Sequence, residues 1–267
     1  MREIDKILDN YYSNIYSEDE RLIKDNVHKM EFITTINYID KYLEPNDRIL
    51  EIGAGTGRYS LYYANKGYKV DAVELVKSNV DKLKSNITKD MDINAIQGNA
   101  LDLSMYKDDT FDITLVLGPL YHLFSKEDVD KAINEAIRVT KPDGIIYLAF
   151  ILFDMSILSW GFIDKNIYDN YGKDKQVSLD FKPNNDEKLV FNLRFYDDIK
   201  KLMNNYDVEQ LHYVATDGIA RLIKDTVNNM TEEEYKLFLD YHLSSCERDD
   251  LMGYSGHILS INKKRKR

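Results

Sequence analysis

The chain has 267 residues, a 43% hydrophobic fraction and a formal net charge of −10. That length suits one domain with insertions, or at most two, and the apolar fraction can fill a substantial core. The acidic balance argues against a large nucleic-acid surface, because phosphate contacts depend on Lys and Arg. Ser17-Glu18-Asp19-Glu20 reads as a capping box, with apolar residues following at Ile23, Val27, Met30, Ile33 and Ile36. This spacing predicts an amphipathic helix reaching about Leu43 and stopped near Pro45.

Regular alternation comes next. Strand 48–53, helix 57–67, strand 69–74, helix 77–88, strand 92–97 and strand 111–117 follow in order. Ser125-Lys126-Glu127-Asp128 caps a helix to about Thr140, and Pro142-Asp143-Gly144 turns into strand 145–151. Strands alternating with helices imply a parallel, doubly wound sheet with right-handed crossovers. The pattern loosens after residue 153. Val177 to Phe181 and Lys188 to Leu193 flank Pro183-Asn184-Asn185-Asp186, the pattern of a hairpin. Helix 196–205, strand 207–215 and helix 218–229 precede a helix capped by Thr231-Glu232-Glu233-Glu234, and strand 256–262 closes the chain.

Cys246 is the only cysteine, so no intrachain disulfide forms, and Met1-Arg2-Glu3-Ile4-Asp5-Lys6 carries no apolar signal core. Both features suit a cytoplasmic protein. Gly144 to Ile163 carries a single charge, Asp154. A charge at mid-span costs about 2.5–3.5 kcal/mol in a bilayer, so a buried strand followed by an apolar lid is the better reading, and no membrane partner is expected. The basic run Lys263-Lys264-Arg265-Lys266-Arg267 reads as a solvated terminus.

The most informative segment is Ile49-Leu50-Glu51-Ile52-Gly53-Ala54-Gly55-Thr56-Gly57. An apolar strand enters a loop with glycine at every second position, which lets the backbone turn sharply and approach a ligand. A second apolar strand ends at Glu74, where a carboxylate can accept hydrogen bonds from ribose hydroxyls. A dinucleotide fingerprint needs G-x-G-x-x-G. Here the third glycine falls one residue early and Arg58 fills the later position, so a nicotinamide dehydrogenase is disfavoured. No G-K-[ST] follows, which excludes a P-loop.

Glu51 to Gly57 resembles the first motif of the class I S-adenosylmethionine-dependent methyltransferases, E/D-x-G-x-G-x-G. Three further segments agree in order: Glu74, then Gln97-Gly98-Asn99-Ala100-Leu101-Asp102, then Phe111 to Leu123 with Gly118-Pro119 in its loop. The likeness spans about residues 45–153 and is most specific for small-molecule methyltransferases of the ubiquinone/menaquinone-biosynthesis type.

It implies an α/β, Rossmann-like, doubly wound and mostly parallel seven-stranded sheet in a single methyltransferase domain. Residues 1–44 would form an N-terminal helical cap, 45–153 the cofactor core, 154–195 an inserted lid and 196–267 the rest of the sheet. S-adenosyl-L-methionine is the implied cofactor. Its expected contacts are Tyr12, Glu51, Gly53, Ala54, Gly55, Thr56, Gly57, Glu74, Leu75, Asn99, Ala100 and Leu117. The family usually has aspartate at the position of Asn99, so Asn99 or Asp102 would meet the adenine amino group. Tyr11-Tyr12 and Arg21 would fold over the cofactor, with Arg21 meeting a carboxylate.

The sulfonium is already a strong electrophile, so a base is required only for a protonated acceptor. His122 and Tyr121, beyond the fourth strand, are the first catalytic candidates. His28 and His257 read as surface or structural residues, His212 and His242 carry no motif, and no metal-ligand spacing is visible among the five histidines. Trp160, Phe162 and Tyr168 would line an acceptor pocket, or the lid's apolar stretch would be a homodimer contact. No N/D-P-P-Y segment follows the fourth strand, and Cys246 lies far from it, so nucleic-acid bases are disfavoured targets. A small-molecule methyl acceptor is the expected partner. An RNA or protein methyltransferase and a non-catalytic S-adenosylmethionine-binding protein are the alternatives.

Overall fold

The computed structural model describes residues 2–16, 18–186 and 188–266. The chain opens with α1 (Glu3–Asn10), whose axis continues as a π-turn over Tyr11–Ile15. Ser17 lies outside the described residues, and the helix expected to start there begins instead as α2 (Asn26–Asp40). The reason is local: the Asp25 side chain accepts a hydrogen bond from His28 N at 2.9 Å and caps the helix. Val27 and Met30 are buried beneath α2, whereas Ile23 stays exposed ahead of it.

The core alternates as the sequence indicates. β1 (Arg48–Ile52), α3 (Arg58–Asn65), β2 (Lys69–Glu74), α4 (Lys77–Ser85), β3 (Ile93–Gln97), β4 (Phe111–Val116), α5 (Lys126–Val139) and β5 (Thr140–Leu152) follow in order. β5 begins earlier than expected, with its register to β4 shifting between Phe111 and Ile113 and Asp143 at φ 65°.

The lid starts with α6 (Phe153–Ser156), a π-turn over Ile157–Ile163 and α7 (Ile167–Asn170). Among the described residues no hairpin follows it. Val177 makes single bridges to Tyr171 and Pro183, and Pro183 has no N–H to give a ladder. Glu187 of that segment lies outside the described residues. Its last part becomes β6 (Leu193–Arg194), which pairs in parallel with the end of β5. Asn192 is held to the loop after β4, donating from its backbone N to Tyr121 O at 2.7 Å.

The chain finishes with α8 (Tyr196–Met203), β7 (Val208–Ala215), α9 (Lys224–Asn228), α10 (Glu232–Ser245) and β8 (His257–Lys264). The helix expected over 218–229 splits into a 3-10 turn at Gly218–Arg221 and the short α9. Strand order is β3-β2-β1-β4-β5-β8-β7, with β6 added beside β5. β8 runs antiparallel to both β5 and β7, and the other pairings are parallel. Ile49, Leu50, Phe111, Leu115, Tyr147 and Ile261 are fully buried in this sheet's core. Among the described residues no helix is long and apolar enough to cross a membrane. In the terminal basic run, Lys264 donates to Asp109 and Lys266 pairs with Asp143, while Arg267 lies outside the described residues.

Candidate active site

The ends of β1 and β2 create the first half of the site. Gly53 N and Ala54 N both donate to Val73 O, at 2.8 and 3.2 Å, so the glycine loop folds back over β2. Gly53, Gly55 and Gly57 adopt φ of 75°, 54° and 88°, a region closed to most side chains. A Cβ on Gly53 would lie 2.5 Å from Pro119 Cδ, so this glycine also admits the loop after β4. Gly57 behaves differently from the expectation. It does not line the cavity, and its missing side chain makes room for Leu83 of α4. It serves helix packing rather than ligand approach.

Glu51, Gly53, Ala54, Gly55, Thr56, Glu74, Leu75, Asn99, Ala100 and Leu117 converge on one cavity. Glu74 is 7% exposed. Its Oε2 accepts from Gly55 N at 2.9 Å and its Oε1 from Val76 N at 2.8 Å. The Asn79 side chain adds a third donor, and since each carboxylate oxygen has two lone-pair positions, acceptor capacity remains for a ligand. Burial raises the Glu74 carboxyl despite the amides that favour its anion. Glu51 sits deeper. Its Oε2 accepts from Ser60 N at 2.9 Å and from the Ser60 hydroxyl, and burial pushes its carboxyl up to about 8. Asn99 lines the cavity while its Oδ1 accepts from Leu101 N. Asp102 is exposed and away from the cavity, accepting instead from Ser104 N, which removes it as the adenine partner.

The two catalytic candidates are engaged elsewhere. His122 Nδ1 lies 2.7 Å from Val190 O and so donates to it, which leaves Nε2 to accept from the Tyr12 hydroxyl at 2.9 Å. Burial lowers the imidazole to about 4. With both nitrogens committed and little affinity for a proton, His122 is poorly suited to act as a base. The Tyr121 hydroxyl donates to Leu117 O at 2.9 Å, and burial raises it, so it is no better a proton carrier. The geometry corrects both assignments: these residues build a wall.

The N-terminal segment covers the site as expected of Tyr12, which lines the cavity with Glu18 and Arg21. Polar ties hold this cover down. Arg2 pairs with Asp128 at 2.5 Å, Arg58 donates to Asp19 O at 2.9 Å, and Lys82 pairs with Asp19 at 3.0 Å. Arg21 is already satisfied by two carboxylates, with Nε donating to Glu18 at 3.0 Å and Nη1 to Glu31 at 2.8 Å.

A second, larger cavity of about 670 Å³ adjoins the first, and Tyr12, Glu18, Arg21 and Tyr121 line both. Tyr11, Tyr16, Trp160 and Phe191 give it aromatic walls. Phe162 and Tyr168 do not reach it; both stay exposed on the lid. At one end lies a charged cluster invisible in the sequence pattern. Glu31, Asp217 and His257 present ligand-type atoms within 4.8 Å of one another. Arg21 holds Glu31, and Arg221 Nε donates to Asp217 Oδ2 at 2.5 Å. These two guanidiniums already pair with the carboxylates a metal ion would require. Burial disfavours ionised Asp217, but Arg221 and His257 override it and hold the carboxyl well below its usual range.

A buried acid at the tip of β2 facing a glycine loop at the tip of β1 is a nucleoside arrangement. The spare lone pairs of Glu74, the open loop backbone and the apolar slot of Leu75, Ala100 and Leu117 fit an adenosyl group. With the antiparallel closing strand, this is the arrangement of the class I S-adenosylmethionine-dependent methyltransferases. The protein is an S-adenosylmethionine-dependent methyltransferase, and S-adenosylmethionine is its cofactor.

The family profile described as a methyltransferase domain matches residues 50–148. The glycine/sarcosine N-methyltransferase of Aphanothece halophytica is 26% identical over 212 residues, covering 76% of this chain and 76% of its own length. The ubiquinone biosynthesis O-methyltransferase of Rickettsia typhi is 27% identical, covering 71% of this chain and 83% of its own. A solved S-adenosylmethionine-dependent methyltransferase from Methanosarcina mazei shares the fold at TM-score 0.57, with 17% identity over 86% of this chain and 98% of its own.

Proposed function

We propose that the enzyme methylates an O, N or C atom of a small molecule held in the second cavity, by in-line displacement at the sulfonium. The observation that carries this reading is the shared wall: two cavities meet at Tyr12, Glu18, Arg21 and Tyr121. The first is lined by the glycine loop and Glu74. The second, at about 670 Å³, falls within the ~300–1,000 Å³ of ordinary small-ligand sites.

In this reading Glu74 accepts from the ribose hydroxyls through its free lone pairs. The loop from Gly53 to Thr56 offers its backbone to the methionine portion and ribose. Glu51 faces the amino group, directly or through water, and Asn99, Ala100, Leu75 and Leu117 border the adenine. The bound cofactor supplies an activated methyl and a neutral leaving group. The chain contributes alignment and exclusion of water, which together account for ~7–11 kcal/mol of a barrier. The first cavity measures about 120 Å³ under the N-terminal cover, so admitting the cofactor requires residues near Tyr12 to shift. Incubating the enzyme with methyl-labelled cofactor and a metabolite extract, then finding the labelled product by mass spectrometry, tests the acceptor class. Label appearing only on RNA or protein would overturn it.

A further inference from the structure

Five histidines are present, and one is placed as a proton acceptor should be. We infer that His257 is the general base of the methyl transfer, oriented by Asp217, and that the acceptor carries a proton on its nucleophilic atom. This inference rests on the small-molecule reading above.

The placement follows from topology. β8 is antiparallel, so its first residue, not its last, lies at the edge where the parallel strands end. His257 pairs with Ile151 near the end of β5, and both residues line the second cavity. Tyr121, in the shared wall, has its ring centroid 6.5 Å from the His257 ring.

The ring is held from one side. His257 Nδ1 lies 3.0 Å from Asp217 Oδ2 and 3.4 Å from Glu31 Oε2, with Arg221 Nη2 at 3.3 Å. Two carboxylate oxygens at that nitrogen repel a lone pair and attract a proton, outweighing one guanidinium N–H. The Nδ1–H tautomer follows, and Nε2 keeps its lone pair. Among the described residues Nε2 has no hydrogen-bond partner, in contrast to His122.

Asp217 is itself fixed. Its Oδ1 accepts from Gly256 N at 2.7 Å, His257 N at 3.1 Å and the Ser255 hydroxyl at 2.7 Å. A Cβ on Gly256 would lie 2.8 Å from Arg221 Nε and 2.9 Å from Asp217 Oδ2, so the glycine admits the cluster. The remaining charged or titratable neighbours are Arg21 and Glu31 on the N-terminal side and His242 behind Gly218. Carboxylates thus face the nitrogen that becomes part of an imidazolium, the arrangement that stabilises it.

The step balances without a further reactant. The acceptor atom's electron pair forms the new bond to the methyl carbon, the S–CH₃ pair leaves on sulfur, and the acceptor's proton passes to Nε2. A hydroxyl or a protonated amine requires this; a tertiary amine or a thioether does not.

Two measurements on the full chain decide it. In ¹⁵N-histidine-labelled protein, the signal absent from His257→Gln should show, in the neutral ring, Nδ1 protonated and Nε2 bare. The opposite tautomer of the neutral ring, with its proton on Nε2, would overturn the inference. With methyl-labelled cofactor and a metabolite extract, His257→Gln should lower labelled product about 100-fold or more and recover rate as pH rises and the acceptor loses its own proton. S-adenosylhomocysteine affinity by calorimetry should stay within about threefold. A flat pH profile at near wild-type rate would equally overturn it, as would lost cofactor affinity alone, the mark of a structural role. If wild-type protein labels no small molecule, the acceptor reading fails, and the tautomer alone then decides the assignment of His257.

Discussion

Glu51 offers a quantitative handle on how the cofactor is received. Burial pushes its carboxyl up to about 8. One unit below that midpoint, at pH 7, ~90% of molecules carry the proton. A cationic ammonium group arriving beside Glu51 favours the anion. A drop of two units, equivalent to ~2.7 kcal/mol, would release nearly one proton per binding event. Calorimetry at pH 7 in phosphate and in Tris reads this number from the dependence of apparent enthalpy on buffer ionisation. Glu51→Gln keeps the shape and can still accept from Ser60, but it cannot ionise. The variant should lose the released proton, and wild-type affinity should tighten up to ~10-fold per pH unit between pH 6 and 8 while the variant's does not. Equal proton counts in the two proteins would refute the assignment of Glu51 to the cofactor's cationic end.

Further outcomes can be checked directly. Glu74→Ala should cost ~1–3 kcal/mol of cofactor affinity, since ribose hydroxyls are left unpaired; unchanged calorimetric affinity would exclude that role. Gly57→Ala should destabilise by ~2 kcal/mol or more in urea titrations, combining left-handed strain with overlap on Leu83. Gly67→Ala, at the same φ of 88° with nothing within 4 Å, should cost only the strain of ~1 kcal/mol, and equal losses would remove the packing argument. His122 is lowered to about 4 in the folded chain, so the unfolded chain binds its proton first on acidification. Stability should therefore fall as pH drops from 6.5 towards 4, and His122→Gln should flatten that slope in denaturation series; an identical slope would mean His122 is not buried neutral.

The strands and the glycine loop are legible because each depends on local pattern. Apolar runs before Gly53 and Glu74 fix both the strands and the residues at their tips. The N-terminal helix starts later than the apolar spacing suggests because Asp25 caps it locally. Three-dimensional context decides His122 and His257. Position after the fourth strand made His122 look reactive, yet Val190 and Tyr12, remote in sequence, consume both its nitrogens. His257 gains its interest from Asp217, 40 residues away, and from a strand direction that alternation alone does not reveal. In the sequence Asp217 falls between the strand expected over 207–215 and the helix expected over 218–229 and belongs to no motif. The hairpin expected around Pro183 dissolved because residues 192–194 find partners on Tyr121 and β5 instead.

The reversed direction of β8 has a practical side. Its eight residues, His257–Lys264, carry the chain roughly 25 Å away from the ligand edge. A fluorophore, affinity handle or surface tether attached at Lys266 therefore sits on the opposite rim of the sheet. Immobilised enzyme held there would keep both chambers facing solution, whereas a tether at Arg2 would pull on the segment tied over the first cavity.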